Sequence, residues 1–299
     1  MIGVKWMNDY LVKATAHNGF VRAYAIVTTN TVEEARERQD TWATTTAALG
    51  RVMTITTMMG AMLKGEQTIT TKIEGNGPIG AIIADSNAHG DVRGYVTNPH
   101  VHFDLNKSGK LDVARAVGVE GHLSVVKDLG LKDHFTGQVP LVTGEISEDF
   151  TYYFAHSEQI PSAVGAGVLI NPDHSVQVAG GFILQIMPGA PDELITELEQ
   201  QIASLPAISQ LIADGATPEE MLQRLLKDEQ INIHEKLPVR FQCKCSLERI
   251  KQAIIGLGAT EIQKMIDEDG GAEATCHFCH EIYQLSVEDL QAMLDQPLN

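Results

Sequence analysis

The four cysteines are the feature that most restricts how this chain can fold. All four lie in the last 57 of its 299 residues, and residues 1 to 242 contain none. Cys243 and Cys245 form a C-x-C pair in QCKCS, and Cys276 and Cys279 form a C-x-x-C pair in TCHFCH, with 30 residues between the pairs. Two such tight pairs suggest one shared site, which can be a zinc centre, a redox pair or a set of disulfides.

The cellular compartment that the sequence predicts helps to decide between a zinc centre, a redox pair and disulfides. The N-terminal residues MIGVKWMNDYLVKA lack the apolar core of a signal peptide, and no run approaches the ~20 apolar residues of a membrane span. We therefore expect a cytoplasmic protein that does not bind a membrane. Because thiols are kept reduced in the cytoplasm and stable structural disulfides are rare there, the four cysteines favour zinc.

Four thiolates complete the tetrahedral shell of Zn²⁺ and leave no position for water, which argues against a catalytic zinc. His277 and His280 each follow a cysteine of the second pair. Since the thiolates suffice, we expect both histidines to be surface residues beside the site and not ligands. The predicted zinc ligands are Cys243, Cys245, Cys276 and Cys279.

The charge balance argues against nucleic-acid binding. The chain has 39 acidic and 22 basic residues, a net charge of −17. Residues 241 to 299 hold 10 acidic and 4 basic residues, so the cysteine segment is itself acidic. A surface for phosphate backbones needs a surplus of lysine and arginine. No phosphate-cradling glycine-rich motif indicates ATP binding either.

Patterns along the chain predict an α+β protein in three parts. Residues 1–187 alternate strand-like runs with a helical stretch, which predicts a mixed sheet-and-helix core domain. Residues 188–232 begin at a Pro-Gly-Ala-Pro boundary and predict a linker of short amphipathic helices. Residues 233–299 predict a small C-terminal zinc-binding domain, with two helices between the cysteine pairs.

Short sequence motifs predict one hairpin turn and the first residues of two helices. Asn18 and Gly19 lie between two strand-like runs and predict a hairpin turn. Thr31 with Glu34, three residues later, predicts a capping box at the start of a helix. Thr217 predicts a second capping box, with Glu220 at its third helical position and a proline at the first.

The helices predicted in the linker need a surface on which to pack. Helices of this length are marginal alone in water. The first of them carries an apolar stripe at the spacing of one helix face, formed by Leu194, Leu198, Ile202 and Leu205.

The C-terminal domain should depend on its metal. A segment of about 60 residues buries too little apolar surface to be robustly stable alone, and structural zinc can supply the missing free energy. Oxidation of the thiolates would remove the ligands, so the site can act as a redox switch. Most four-cysteine zinc sites are static supports, however, and the spacing alone favours that interpretation.

The sequence resembles the 33-kilodalton heat-shock chaperone family. RFQCKCSLER and CHFCHEIY look like the redox switch of that family, with the same order of cysteine pairs and a similar gap. YYFAHSEQIPSAVGAGV and VAGGFILQIMPGA are similar to its N-terminal part, so the likeness spans nearly the whole chain.

The resemblance implies a cytoplasmic holdase chaperone, not an enzyme, that is inactive with zinc bound. It implies that oxidation forms the Cys243–Cys245 and Cys276–Cys279 disulfides, releases zinc and unfolds the zinc domain with the linker. The active form in this family tends to dimerise and holds unfolding client proteins without ATP. No short motif carries client binding, so the candidates are two apolar segments. One is the predicted methionine-rich helix, which carries Met53, Met58, Met59 and Met62, and the other is the stripe of Leu194, Leu198, Ile202 and Leu205.

Two other functions remain open from the sequence. A thiol-disulfide oxidoreductase would use Cys276 and Cys279, and it would turn over in an insulin-reduction assay, whereas a switch would not. A static zinc-ribbon binding module would hold nucleic acid with an affinity that falls with salt.

Overall fold

The computed structural model describes residues 8–228 and 230–294 of the chain. Strands and helices are interspersed, so the predicted α+β class is confirmed. The strands are β1 (Tyr10–Ala16), β2 (Val21–Val27), β3 (Thr68–Gly75), β4 (Ala81–Asn87), β5 (Asp91–Val96), β6 (Gly121–Asp128), β7 (Phe135–Pro140), β8 (Ser162–Ile170), β9 (Val176–Ile186), β10 (Asn232–Pro238), β11 (Arg240–Phe241), β12 (Ala272–Thr275) and β13 (Ile282–Leu285).

The helices are α1 (Thr29–Gln39), α2 (Ala43–Gly60), α3 (Val113–Val117), α4 (Ser147–Tyr153), α5 (Asp192–Ser204), α6 (Ile208–Ala213), α7 (Pro218–Leu226), α8 (Leu247–Ile255), α9 (Ala259–Lys264) and α10 (Val287–Leu294). In the part of the chain that is described, no helix is both long enough and apolar enough to span a bilayer.

Five strands form the first sheet in the order β10-β1-β2-β9-β8, and every neighbouring pair is antiparallel. A short turn at His17–Gly19 joins β1 to β2, and Asn18 in it has a left-handed φ of 56°. Asparagine tolerates that conformation better than most residues. The hairpin predicted at Asn18 and Gly19 is therefore confirmed.

Six strands form the second sheet in the order β11-β5-β4-β3-β6-β7, antiparallel except for β11 beside β5. α2 contacts strands of both sheets, and nearly all of its side chains are buried. Met53 and Met58 are fully buried in it. The methionine-rich helix is thus core packing in this state and offers no surface to a client.

The two predicted capping boxes have different outcomes. Thr217 accepts the Glu220 amide at 3.2 Å, and the Glu220 carboxylate accepts the Thr217 amide at 2.8 Å, which confirms the second box. The first prediction is wrong, because α1 begins at Thr29. The Thr31 hydroxyl instead donates to buried Asp9 at 2.6 Å. Asp9 lies 22 residues earlier, so a local pattern does not reveal it.

The linker helices α5, α6 and α7 lie on an apolar face of the first sheet. In α5, Leu198 is buried, and Leu194 and Ile202 are partly buried against the same cluster, as is Leu205, which directly follows the helix. α7 contributes a larger buried set, formed by Met221, Leu222, Leu225 and Leu226. The sheet contributes residues of β1, β2 and β9, among them Val12, Ala14, Val21, Ala23 and Leu184. We call these linker and strand residues the linker–sheet cluster.

The chain divides into two compact units, and the boundary along the sequence falls between Gln242 and Cys243. β10 and β11 belong to the first unit, because β10 pairs with β1 and β11 pairs with β5. The functional division into 1–187, 188–232 and 233–299 stays a prediction, since compactness in one state does not reveal which segment unfolds.

Candidate metal centre

The first cysteine pair lies just before α8 in the second unit. Cys243 and Cys245 have no helical backbone, and α8 begins directly after them at Leu247. Ser246 caps this helix, since its hydroxyl accepts the Arg249 amide at 3.3 Å. The cap fixes the point where the chain leaves the site, and the two thiols precede that point.

The second pair lies in a tight turn between β12 and β13. The amide of Cys276 donates to the carbonyl of Glu281 at 2.9 Å, and the amide of His280 donates to the carbonyl of Cys276 at 2.9 Å. His280 has a left-handed φ of 54°, which reverses the chain. The turn therefore holds the thiols of Cys276 and Cys279 on one short, hydrogen-bonded loop.

The four sulfur atoms converge, and all lie within 4.8 Å of one another. Cys243 Sγ is 3.7 Å from Cys276 Sγ, and Cys245 Sγ is 3.3 Å from Cys279 Sγ. Zinc–sulfur bonds of about 2.3 Å would place the corners of a tetrahedron about 3.8 Å apart. The donor set and its dimensions fit one tetrahedral metal ion. Among the described residues, no other histidine, cysteine or carboxylate cluster of that kind is found.

Burial raises the pKa of two of the four thiols. Cys276 and Cys279 are buried, while Cys243 and Cys245 are partly exposed. Desolvation raises the pKa of the Cys279 thiol and that of the Cys245 thiol. A buried thiolate is poorly solvated and needs a positive charge nearby. A metal cation between the four sulfurs is a group that would hold them as thiolates.

Tyr283 is a member of the site that the sequence analysis missed. It lies on β13, opposite Ala274 of β12, and its hydroxyl donates to Cys245 Sγ at 3.2 Å. This hydrogen bond to sulfur raises the pKa of Tyr283. The contact ties the second half of the site to the first. Its only trace in the sequence is a tyrosine four residues after Cys279, and that position does not reveal a partner 38 residues away.

Both histidines beside the second pair are exposed, and neither belongs to the cluster of metal-competent side chains. We expect a His277→Ala, His280→Ala double variant to keep the zinc content of the unaltered protein, because four thiolates already fill the shell. Metal analysis of the reduced variant checks this. A single His277→Ala variant separates the two positions, and loss of zinc from either protein would show that the ligand set is wrong.

Comparison with known proteins gives a consistent result. The family model described as "Hsp33 protein" matches residues 9–286. A 33 kDa chaperonin of Oceanobacillus iheyensis is 68% identical over 285 residues, which cover 95% of this chain and 99% of that protein. One from Bacillus subtilis is 60% identical, covering 96% and 99%. The crystal structure of the 33 kDa chaperonin (heat shock protein 33 homolog) of Thermotoga maritima has a TM-score of 0.89 at 39% identity, covering 96% of this chain and 98% of that one.

Proposed function

The chain belongs to the Hsp33 family of chaperones, and from this premise we propose that it is a holdase activated by oxidation. In the reduced state, Cys243, Cys245, Cys276 and Cys279 bind one Zn²⁺ and the protein is inactive. Oxidation forms the Cys243–Cys245 and Cys276–Cys279 disulfides. A disulfide offers no thiolate to a metal, so the site loses its zinc. The convergence of the four sulfurs within 4.8 Å is the observation that supports this most.

The small core of the second unit makes its fold sensitive to the metal. Among its described residues, the buried members of its apolar cluster are Ile254, Ile262, Leu285, Leu290 and Met293. A unit of this size is marginally stable without an additional crosslink. Bound zinc would keep the four thiols deprotonated and tie the two cysteine pairs together. Loss of the ligands would therefore unfold this unit.

The linker–sheet cluster is the proposed client surface. In the folded state the stripe of Leu194, Leu198, Ile202 and Leu205 belongs to the linker–sheet cluster, in which Leu198 is buried and the other three are partly buried. Unfolding of the linker would expose the stripe and the apolar face of the sheet together. Apolar surface of this kind buries the apolar segments of unfolding proteins, and that burial requires no nucleotide.

Polar contacts hold the second half of the linker on the sheet. Tyr10 donates from its hydroxyl to Glu219 at 2.6 Å, and Lys236 forms an ion pair with Glu219 at 2.5 Å. The amide of His17 donates to Asp228 at 2.5 Å. These contacts are noncovalent, and part-exposed pairs of this kind contribute little stability each. Two kinds of interaction therefore oppose the proposed unfolding of the linker. They are the apolar packing of the linker–sheet cluster and these weak polar contacts.

The proposed partners are unfolding proteins, and the active form is a homodimer that acts in the cytoplasm. These three statements rest on the family resemblance. The proposal requires no nucleic acid and no membrane.

We expect zinc content and aggregation suppression to change in opposite directions on oxidation. The reduced protein should hold about one zinc per chain and suppress little aggregation of a heat-denatured client. After hydrogen peroxide with mild heating, zinc should be lost and about stoichiometric protein should suppress aggregation. Measuring both quantities on the same samples tests the link. Loss of zinc without suppression would contradict the proposal, and turnover in an insulin-reduction assay would favour the oxidoreductase instead.

A further inference from the structure

We propose that Tyr283 is a positioning residue that slows the oxidation of Cys245 and so sets how fast the site responds to an oxidant. This inference rests on the proposed redox function. Four thiolates complete the metal shell without Tyr283, so ligand binding does not account for a hydroxyl placed on one of the four sulfurs.

The geometry is specific to one sulfur. The Tyr283 hydroxyl donates to Cys245 Sγ at 3.2 Å, within the range for hydrogen bonds to sulfur. Its backbone is held in β13 by pairing with β12, where Tyr283 lies opposite Ala274. Cys245 Sγ is also 3.3 Å from Cys279 Sγ, so the hydroxyl contacts the cluster at the point where the two cysteine pairs approach each other. Outer contacts of this kind orient metal ligands and tune their chemistry.

The hydrogen bond acts on the step in which the sulfur is the nucleophile. A thiolate attacks one oxygen of hydrogen peroxide, the O–O bond breaks, and a sulfenic acid and hydroxide form. A second thiolate then attacks the sulfenic sulfur, the S–O bond breaks, hydroxide leaves and the disulfide forms. Two thiolates give up two electrons in total, and one peroxide becomes two hydroxides. A hydrogen bond from an O–H group engages a lone pair of the thiolate sulfur and stabilises its negative charge. Because the sulfur attacks peroxide with such a lone pair, the first step becomes slower.

Of the N–H and O–H donors to Cys245 and Cys279 among the described residues, only the donor to Cys245 can be removed by a side-chain substitution. Cys279 accepts a hydrogen bond from the backbone amide of Glu281, which a side-chain substitution leaves in place. The donor to Cys245 is a side-chain hydroxyl, and Tyr283→Phe removes that one oxygen while keeping the ring.

Zinc-loaded Tyr283→Phe should release zinc faster than the unaltered protein when hydrogen peroxide is added. We expect the rate, followed with a chromogenic chelator, to rise about three- to tenfold, the scale of the net contribution of one typical hydrogen bond. Alkylation and mass spectrometry of early samples should find Cys245 oxidised sooner in the variant. The sulfur-to-metal charge-transfer band of the cobalt-loaded protein should shift before any oxidant is added, because the electron density on Cys245 changes.

Gln284→Ala is the matched control. Gln284 is exposed on the same strand and donates to Glu273 across the β12–β13 hairpin without touching a sulfur. Its rate should equal that of the unaltered protein. Equal rates in Tyr283→Phe and the unaltered protein would overturn the inference, as would equal acceleration in both variants, which would show a general loosening of the hairpin. Zinc missing from reduced Tyr283→Phe would assign the hydroxyl to metal retention and overturn it too. Failure of the unaltered protein to release zinc would instead contradict the proposed function.

Discussion

Replacing Cys276 with serine should abolish zinc binding and unfold the second unit while residues 8–187 stay folded. Cys276 Sγ is 3.7 Å from Cys243 Sγ, and its removal leaves three thiolates around a site that needs four ligands. Structural zinc contributes about 10–16 kcal/mol, which is as large as the whole free energy of unfolding of a typical domain, about 5–15 kcal/mol. The small core of this unit cannot replace that contribution.

Metal analysis of reduced Cys276→Ser should give close to zero zinc per chain, and resolved amide spectra should show residues 243–294 unfolded. Thr275→Ser is the matched control, because Thr275 is exposed and adjacent and offers no ligand. That control should keep about one zinc per chain. Full zinc content in Cys276→Ser would refute the four-thiolate site.

Complete oxidation of the zinc-loaded protein should remove hydrogen-exchange protection from about residue 188 onward, while β2 and β9 keep theirs. The second unit loses its metal crosslink, and the linker helices then lose protection in order of burial. In α5 the one buried residue is Leu198, whereas α7 buries several apolar side chains. We therefore expect α5 to exchange before α7.

Two samples separate the causes of this unfolding. Reduced protein heated without peroxide controls for temperature, and reduced protein stripped with a chelator loses zinc but keeps its thiols. We expect the chelated sample to lose protection in residues 243–294 as the oxidised sample does. Persistent protection in 188–228 after all zinc is gone would confine the switch to the second unit. The linker stripe would then not be the client surface.

The candidate site was predictable from the sequence because its chemistry is carried by residue type and spacing. A C-x-x-C turn places two thiols together through local backbone geometry, and few chemistries use two such pairs. The same holds for the start of α7, where Thr217 and Glu220 satisfy each other within one turn. Within each cysteine pair, as within the start of α7, the interacting groups are neighbours in sequence. The two pairs lie 30 residues apart, and only the need of one zinc ion for four ligands predicted that they would meet.

Features that depend on distant partners were not predictable. Thr31 fails as a cap because Asp9, from another part of the fold, binds its hydroxyl. Tyr283 reaches a sulfur 38 residues away. β10 has no alternating apolar pattern because nearly all of its side chains are exposed, so its pairing with β1 leaves no mark in the composition. α10 did have a local signal, a capping box of Ser286 and Asp289, which the sequence analysis passed over.

The pairing of β10 with β1 has a consequence for the oxidised protein. β10 forms one edge of the first sheet, where its backbone pairs with β1 and nearly all of its side chains are exposed. If unfolding proceeds through residue 233, as the predicted domain limit implies, β1 becomes an open edge with a row of unsatisfied amides and carbonyls. An extended chain can add to such an edge through main-chain hydrogen bonds. The activated protein would then capture clients through their main chain as well as their apolar residues, and two activated copies could join along the same edge.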